Sequence, residues 1–471
     1  MSQMQDFRMQ RINRIHFIGI GGAGMGGIAE VLLNKGYSIS GSDEARSLMT
    51  DRLQALGARV VLKHAPENVR DAQVIVISSA IAETNIELQA ARELHIPVVP
   101  RAEMLAELMR FSYGIAISGT HGKTTTTSLS TAVLAEAGTD PTYVIGGKLN
   151  SSGVNASLGS GHYFIAEADE SDASFLFLNP MIAVVTNIDL DHMDTYNNDY
   201  LQLQDTFIKF LHQLPFYGLA VMCVDDPGVQ SVLPNVKRPV TTYGIQNKAD
   251  WRAINRSQRG IVNEFTVIGP SPEDQFDVSL NLAGEHNVLN ALAVIAVARD
   301  LQIPIPVIQS ALEKFSGVGR RFQLCGEFVH AHGKALLVDD YGHHPREIAV
   351  VIKAARETWP KQRIVMLYQP HRYSRTRDLF AEFVAALGQT DVVLMLDIYS
   401  ASEAELAEVN SRSLVAALQQ AGHKNAFYIG QKDQVETNLE QILRDGDILI
   451  TQGAGDIGAI ARQLAAVAEI S

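Results

Sequence analysis

Several stretches of this chain carry residue types and spacings that could handle phosphates, a divalent metal or a carboxylate. The first is Gly119-Thr120-His121-Gly122-Lys123-Thr124-Thr125, set between an apolar run, YGIAIS, and a helix-like pattern. Glycines let the backbone approach a bulky anion, and the N–H groups and dipole at a helix start attract it. In such a turn Lys123 reaches the β/γ oxygens of a nucleoside triphosphate, and a threonine hydroxyl is placed to ligate Mg²⁺. The turn is shorter than the general GxxxxGK[ST] loop, because Ile117 stands where the first glycine would be. A chance Gly-Lys-Thr in a strand-to-helix turn is the alternative. Glu167 ends the run YFIAE, and His192 lies in TNIDLDHMDTY, after the run MIAVV. A carboxylate and an imidazole beyond adjacent strand ends can hold Mg²⁺ beside such a loop. Glu170, Asp172, Asp189, Asp191 and Asp194 compete for that role.

A second glycine turn, Gly19-Ile20-Gly21-Gly22-Ala23-Gly24, satisfies GxGxxG, and Asp43 follows at the distance of a ribose-binding acid. Alone, this pattern predicts a nicotinamide dinucleotide site. A tight turn explains it equally well, and Gly453-Ala454-Gly455-Asp456-Ile457-Gly458 fits the same pattern. Near the C-terminus, DDYGHHP (Asp339 to Pro345) and QPHRYSRTR (Gln369 to Arg377) each follow an apolar run. Arg372, Arg375 and Arg377 concentrate positive charge in an acidic chain, and guanidinium groups bind carboxylates and phosphates bidentately. The adjacent pair His343 and His344 lacks the partners of a zinc site. His64, His95 and His212 read as structural or surface histidines.

The elements that must position these groups alternate. Short β-branched runs follow one another with longer helical patterns between them, the mark of an α/β fold. RIHFIGI, SISGSD, RVVLKH and QVIVISSA open a first unit that RAEMLAELMRFS closes. YGIAIS, YFIAEAD, MIAVVTN and LAVMCV form a second. Within it, Val236 to Leu282 reads as an antiparallel β excursion, followed by the helix HNVLNALAVIAVARD. After the glycines of Ser316 to Phe322, which read as a hinge, KALLVDD, QRIVMLYQ, TDVVLMLD, AFYIG and DILITQG form a third. The expected boundaries are 1–112, 113–319 and 320–471.

The chain has 471 residues, 46% hydrophobic and 19% charged, with a net charge of −13. That balance excludes global disorder and argues against generic binding of nucleic acid or an anionic membrane surface. Two cysteines, Cys223 and Cys325, are too few for a disulfide scaffold or a cysteine-rich metal site. No run approaches the ~18 apolar residues of a membrane span, and MSQMQDFRMQRINR lacks the apolar core of a signal peptide. A cytoplasmic protein without membrane insertion is expected, a monomer or weak homodimer.

Taken in order, GTHGKTTT, EADESDASF, TNIDLDHMDTY, GEHNVLNA, GRRF and DDYGHHP resemble the motifs of the Mur ligase family over nearly the whole chain. IHFIGIGGAGM with GSD, and QPHRYSRTR, resemble the branch that joins L-alanine to UDP-N-acetylmuramate. The resemblance implies three domains: N-terminal Rossmann-like, central P-loop mononucleotide-binding, and C-terminal Rossmann-like. It implies an ATP-dependent, ADP-forming ligase acting through an acyl phosphate in peptidoglycan precursor synthesis, with Mg²⁺ as cofactor. Gly19, Gly21, Gly22, Ala23, Gly24 and Asp43 would then cradle the diphosphate of a UDP-sugar. Gly119, Thr120, His121, Gly122, Lys123, Thr124 and Thr125 would bind ATP, with Asn287 and Asn290 on the adenine side. Thr124, Glu167 and His192 would serve the metal. Arg321 and Asp340 would reach the nucleotide, and Tyr341, His343, Arg372 and Arg375 the amino acid. Lys123, His343, Arg321 and Asp340 form the implied catalytic set.

The chain departs from the family pattern at Ser400 and at Leu406-Ala407, which bears on a C-terminal loop. Lys209 does not match the carbamylated lysine of sister ligases. Within the family, the alternative is the ligase for a recycled tripeptide, whose motif reads closer to DDFAHHP.

Overall fold

The apolar β-branched runs become parallel strands buried on both faces, which explains why they read as continuous rather than alternating. The structure, a computed structural model, describes residues 9, 11–110, 112–146, 150, 156–401, 403–406 and 408–470, the last five of these as backbone only. Ala407, and most of the N-terminal stretch examined for a signal peptide, lie outside the described residues. The chain packs as two compact units. One comprises Met1–Asn255, Phe265–Ser279 and Leu289–Ser316; the other comprises Arg256–Glu264, Leu280–Val288 and Gly317–Ser471. Among the described residues, no helix is long and apolar enough to cross a membrane.

The first unit opens with β1 (Arg14–Ile18), β2 (Ser38–Ser42), β3 (Arg59–Val61), β4 (Val74–Ile77) and β5 (Val98–Pro100). They form a parallel sheet in the order β3-β2-β1-β4-β5. Strand order reverses on either side of β1, so a crevice opens beyond its C-terminal end. The glycine turn 19–24 lies there and leads into the helix Ala23–Asn34.

A ten-stranded sheet follows: β6 (Tyr113–Ser118), β7 (Thr142–Val144), β8 (Ala156–Ser157), β9 (Tyr163–Glu167), β10 (Ile182–Val185), β11 (Leu219–Cys223), β12 (Val240–Gly244), β13 (Trp251–Arg259), β14 (Val262–Ile268) and β15 (Gln275–Leu280). Its order is β15-β14-β13-β12-β11-β10-β6-β9-β7-β8. The strands after Val236 form one edge of this sheet, where the excursion was expected. Its junction, however, is parallel: β12 runs parallel to β11, and the start of β13 runs parallel to β12. The strand order reverses again at β6, between β9 and β10. The helix Lys123–Glu136 leaves that point with ten of its fourteen residues buried, although its first half is nearly all Thr and Ser. Some of those hydroxyls bond back along the helix: Thr127 Oγ1 donates to the Lys123 carbonyl and Thr131 Oγ1 to that of Thr127, each at 2.9 Å. Polar residues are thereby buried without competing for the first turn's N–H groups.

The second unit holds β16 (Gln323–His330), β17 (Gly333–Asp340), β18 (Ile364–Tyr368), β19 (Val392–Leu396), β20 (Ala426–Gly430) and β21 (Ile448–Gln452). The order is β16-β17-β21-β18-β19-β20, parallel except for β16 against β17. Register aligns Asp340 with Gln452, and Gln452 with Tyr368. The segments after β17 and β18 therefore leave the same edge of the sheet.

Candidate active site

In the first unit, the loop Gly119–Gly122 is shaped by positions that accept no side chain. Gly119 has φ +127° and Gly122 φ +86°. A Cβ at Gly119 would sit 2.1 Å from Thr186 Oγ1, and one at Gly122 would sit 2.7 Å from Asn290 Oδ1. The segment after β10 clamps the loop. Thr186 Oγ1 donates to the His121 carbonyl at 2.6 Å, as does Asn187 Nδ2 at 2.9 Å. The His121 N–H donates to Asn187 Oδ1 at 2.8 Å, and the Asp189 N–H donates to Thr120 Oγ1 at 2.9 Å. No side chain caps the helix that starts at Lys123, so its first N–H groups remain directed at an incoming anion. Ser118 Oγ, just before the loop, is buried without a partner among the described residues.

Lys123 Nζ reaches the Gly119 carbonyl at 2.7 Å and both oxygens of buried Glu170 at 2.9 and 2.7 Å. Burial weighs against the ammonium, but Glu170, Asp169 and Glu167 hold its pKa above the usual lysine value. Glu170 is pushed up to about 6 by burial and by Asp169, against the pull of Lys123. The ammonium is thus charged and parked on a carboxylate whose ionised form is disfavoured by burial and by Asp169. Such a contact can be exchanged for phosphate oxygens, which carry more charge.

Glu167, at the end of β9 beside Ile117, accepts the Gly146 N–H at 2.8 Å. Thr124 is buried in the first helical turn. His192 adopts φ +55°, its N–H donating to Asp191 Oδ1 at 2.8 Å. The Thr124 hydroxyl and the Glu167 carboxylate are oxygen donors that suit Mg²⁺. The His192 imidazole is the less usual ligand for so hard a cation. The cradle and the donor set therefore fit a magnesium-bound polyphosphate. Asn290 accepts from Thr126 Oγ1 at 3.2 Å, and so sits directly against the loop helix.

The first glycine turn is also built around close approach. Gly19 has φ +80°, and its N–H and that of Ile20 donate to the Ser42 carbonyl at 2.8 and 3.0 Å. The Gly21 N–H donates to Asp43 Oδ2 at 2.8 Å. Asp43 thus braces the loop itself. Gly22 caps the following helix without a side-chain bond, and a Cβ at Gly24 would lie 3.1 Å from Arg101 Nη1. Arg101 reaches onward to Asp169 Oδ2 at 3.4 Å. It joins the glycine turn to the acids around Lys123. The other glycine pattern is a tight turn: Gln369 Oε1 accepts the Ile457 N–H at 3.1 Å, and a Cβ at Gly455 would strike it at 2.5 Å.

In the second unit, Asp340 is buried and accepts from the N–H groups of Phe322 (2.8 Å) and Gly342 (2.7 Å) and from Gln452 Nε2 (3.1 Å). Burial pushes its pKa up to about 6, with Arg321 pulling it down. Arg320 is committed to Asp339 at 3.0 Å and to the Gly453 carbonyl at 2.6 Å. Arg321 makes only a long 3.9 Å approach to Glu347 and lies over the Tyr341 ring at 5.3 Å. Of the two arginines, Arg321 is thus the less tightly held. Asn287 Nδ2 donates to the Ala283 carbonyl at 2.8 Å.

His343 Nδ1 lies 3.2 Å from the Tyr341 carbonyl, which can only accept, so Nδ1 carries the proton there. The His343 ring contacts Tyr341 at 5.5 Å and His371 at 5.4 Å. His371 stacks on Tyr399 and accepts from Arg375 Nη1 at 3.4 Å. Burial and the surrounding cations push His371 down to about 3. Arg372, at φ +71°, donates its N–H to the Tyr399 carbonyl at 2.8 Å. Tyr341, His343 and Arg375 therefore form one cluster whose centre is His371.

Sequence reasoning passed over His371, though it lies inside QPHRYSRTR. It also passed over Arg101 and Glu347, whose carboxylate accepts the N–H groups of His343 and His344 at 2.8 and 3.1 Å. Glu347 had a signal: it stands where a capping box needs it, three residues after His344. Arg101 had none, since its partner is 68 residues away.

Comparison with known proteins identifies the family. Three family models match in order: "Mur ligase family, catalytic domain" over residues 14–113, "Mur ligase middle domain" over 117–298, and "Mur ligase, glutamate ligase domain" over 320–455. The UDP-N-acetylmuramate-alanine ligase of Thermotoga maritima is 27% identical with a TM-score of 0.83, covering 97% of this chain and 99% of that one. The UDP-N-acetylmuramate:L-alanyl-gamma-D-glutamyl-meso-diaminopimelate ligase of Neisseria meningitides is 30% identical with a TM-score of 0.60, covering 66% and 100%. A murein peptide ligase of Psychrobacter arcticus, 23% identical, shares the fold with a TM-score of 0.71 over 97% and 98%. The chain belongs to the Mur ligase family, three-domain enzymes that form amide bonds using ATP with Mg²⁺.

Proposed function

We propose that this chain joins the lactyl carboxylate of UDP-N-acetylmuramate to the amine of L-alanine, in the cytoplasm, as a step of peptidoglycan precursor synthesis. Residues 1–112 take the UDP-sugar, 113–319 take ATP, and 320–471 take the amino acid. The observation that carries this reading is the cluster of Tyr341, His343, His371 and Arg375: a nearly buried guanidinium held beside two imidazoles. A fixed guanidinium suits the carboxylate of a small amino acid, and an imidazole such as that of His343 suits the proton its ammonium must lose.

The lactyl carboxylate attacks the γ-phosphorus of ATP. A C–O–P bond forms, the β–γ bridging bond breaks, and ADP leaves. The alanine amine then attacks the acyl carbon, and the tetrahedral intermediate expels phosphate. Lys123 exchanges Glu170 for the β/γ oxygens, and the N–H groups at the start of the Lys123 helix hold the chain of phosphates. Thr124, Glu167 and His192 would hold Mg²⁺, which neutralises phosphoryl charge. No protein nucleophile is required.

A second reading has a specific observation behind it, the 30% identity to the ligase from Neisseria meningitides, whose name describes a tripeptide acceptor. Gly342 favours the alanine reading. A Cβ there would lie 2.7 Å from both Asp340 Oδ1 and Gln452 Nε2, so the alanine of a DDFAHHP-type motif would require those two side-chain ends to shift. Presenting L-alanine and the tripeptide as competing amines decides between them. Higher kcat/KM for L-alanine, by about 100-fold or more for an acceptor matched to its site, is the expected result. A preference for the tripeptide would overturn the assignment.

A further inference from the structure

Behind the first glycine turn lies a buried polar network that the ligation chemistry does not use. Glu87 is fully buried on the helix Ile86–Glu93. Its Oε1 accepts the Ala65 N–H at 3.1 Å and Asn68 Nδ2; its Oε2 accepts the Ser42 hydroxyl and faces His16 Nε2 at 3.4 Å. With His64 Nδ1 also 3.4 Å from Oε2, five donors converge on one carboxylate, which keeps it ionised despite its burial. Ser42 is also fully buried, and its Oγ lies 2.9 Å from His64 Nδ1.

Proton bookkeeping then fixes the direction of every bond. An ionised carboxylate can only accept, so the single Ser42 proton goes to Glu87. Ser42 Oγ must therefore accept from His64, and Nδ1 of His64 carries the proton. In the neutral ring Nε2 is left as an acceptor, and the side chain is 15% exposed. The same Ser42 offers its carbonyl to the N–H groups of Gly19 and Ile20, and is followed by Asp43, which braces Gly21. His64 follows β3, and Asp43 follows β2, next to it in the sheet. In a fold of this type the ends of β2 and then β3 lead away from the diphosphate toward the nucleoside.

We propose that Glu87 is a positioning residue for the sugar nucleotide: through Ser42 it sets the glycine turn and holds His64 in the tautomer whose Nε2 accepts an N–H or O–H of the nucleoside. This rests on the UDP-sugar reading of the glycine turn. Glu87→Gln tests it with little change of shape. The glutamine oxygen must stay at the Oε1 place to meet the Ala65 N–H, so its NH₂ faces Ser42. Ser42 then turns its proton toward His64, and the Nε2 acceptor becomes a donor. Ser42→Ala removes the hydroxyl relay and leaves the carboxylate in place, 3.4 Å from His64 Nδ1.

Binding of UDP-N-acetylmuramate and of UDP alone should be measured by calorimetry, KM values for both substrates by kinetics, and the His64 tautomer by nitrogen NMR. Expected in each variant is a loss of about tenfold, the worth of one buried hydrogen bond, for both UDP compounds. The KM for ATP should change less than about twofold, and the His64 Nδ1–H signature should be lost in Glu87→Gln and kept in Ser42→Ala, where the carboxylate still faces Nδ1. A loss confined to the full sugar nucleotide, equal losses for ATP, or no loss would overturn the proposal. If Glu87→Gln does not fold, Ser42→Ala decides alone. Failure of the unmodified chain to bind either UDP compound would overturn it together with the UDP-sugar reading, and is distinguished by that control.

Discussion

Replacing Lys123 with alanine is expected to lower the rate of ligation about a thousandfold, because a cation aimed at developing phosphoryl charge is worth several kcal/mol in a dry site. The side chain is already anchored by the Gly119 carbonyl and paired with Glu170, so it is in place before substrate arrives. Its loss also leaves Glu170 and Asp169 buried with less positive charge nearby. Glu170 is already raised to about 6, so it takes up a proton and the fold survives with a lower melting temperature. Lys123→Arg keeps the charge, but a planar fork does not reproduce a compact ammonium beside three close oxygens. That variant should remain well below the parent. Stopped assays of ADP formation, with circular dichroism to verify folding, check this. Near-normal turnover in Lys123→Ala would remove the phosphate loop from the account.

The second large effect is expected at Arg375. Its guanidinium is more than nine-tenths buried and donates to His371. His371 is held neutral by burial, with His343 and the guanidinium groups of Arg375 and Arg372 adding to the effect, so it adds no charge of its own. An amino-acid carboxylate entering here finds its strongest partner in Arg375. Arg375→Ala should raise the KM for L-alanine about 30- to 100-fold, the worth of a charge-assisted bond of about 2–3 kcal/mol. The KM for ATP and the affinity for the UDP-sugar should stay near the parent values. An increase confined to ATP, or equal for all three substrates, would return Arg375 to a phosphate-binding or structural role.

What could be read from the sequence follows from where the physics is local. Parallel strands buried on both faces, such as VIVI in β4 and VVLML in β19, announce themselves by composition alone. The two glycine turns that matter lie between a strand and a helix, and that context is visible within ten residues. Several edge elements were missed for equally physical reasons. β5 spans three half-buried residues ending in Pro100, β8 spans two, and β16 alternates exposed and covered positions around Gly326. The parallel pairing of β12 was hidden because register is set by partners far away in sequence.

The candidate site divides in the same way. Lys123, Glu167, His192 and Arg375 sit in motifs that the sequence offers as candidates, and Arg321 is picked out by the family resemblance alone. Glu87, Arg101 and the central place of His371 depend on contacts made only in the folded chain: 45 residues from Glu87 to Ser42, and 68 from Arg101 to Asp169. His64 looked like a lone surface histidine because Ser42 and Glu87, which give it a direction, are not its neighbours in sequence.

In the proposed reaction the carboxylate of the sugar nucleotide is activated by phosphoryl transfer before the amine attacks. The direct measurement uses UDP-N-acetylmuramate whose lactyl carboxylate carries a heavy isotope of oxygen, incubated with the protein, ATP, Mg²⁺ and L-alanine. Mass spectrometry of the released phosphate should show one labelled oxygen per product formed, with the other retained in the new amide. Product formation with unlabelled phosphate would contradict the acyl-phosphate route and the roles assigned to Lys123 and the phosphate loop.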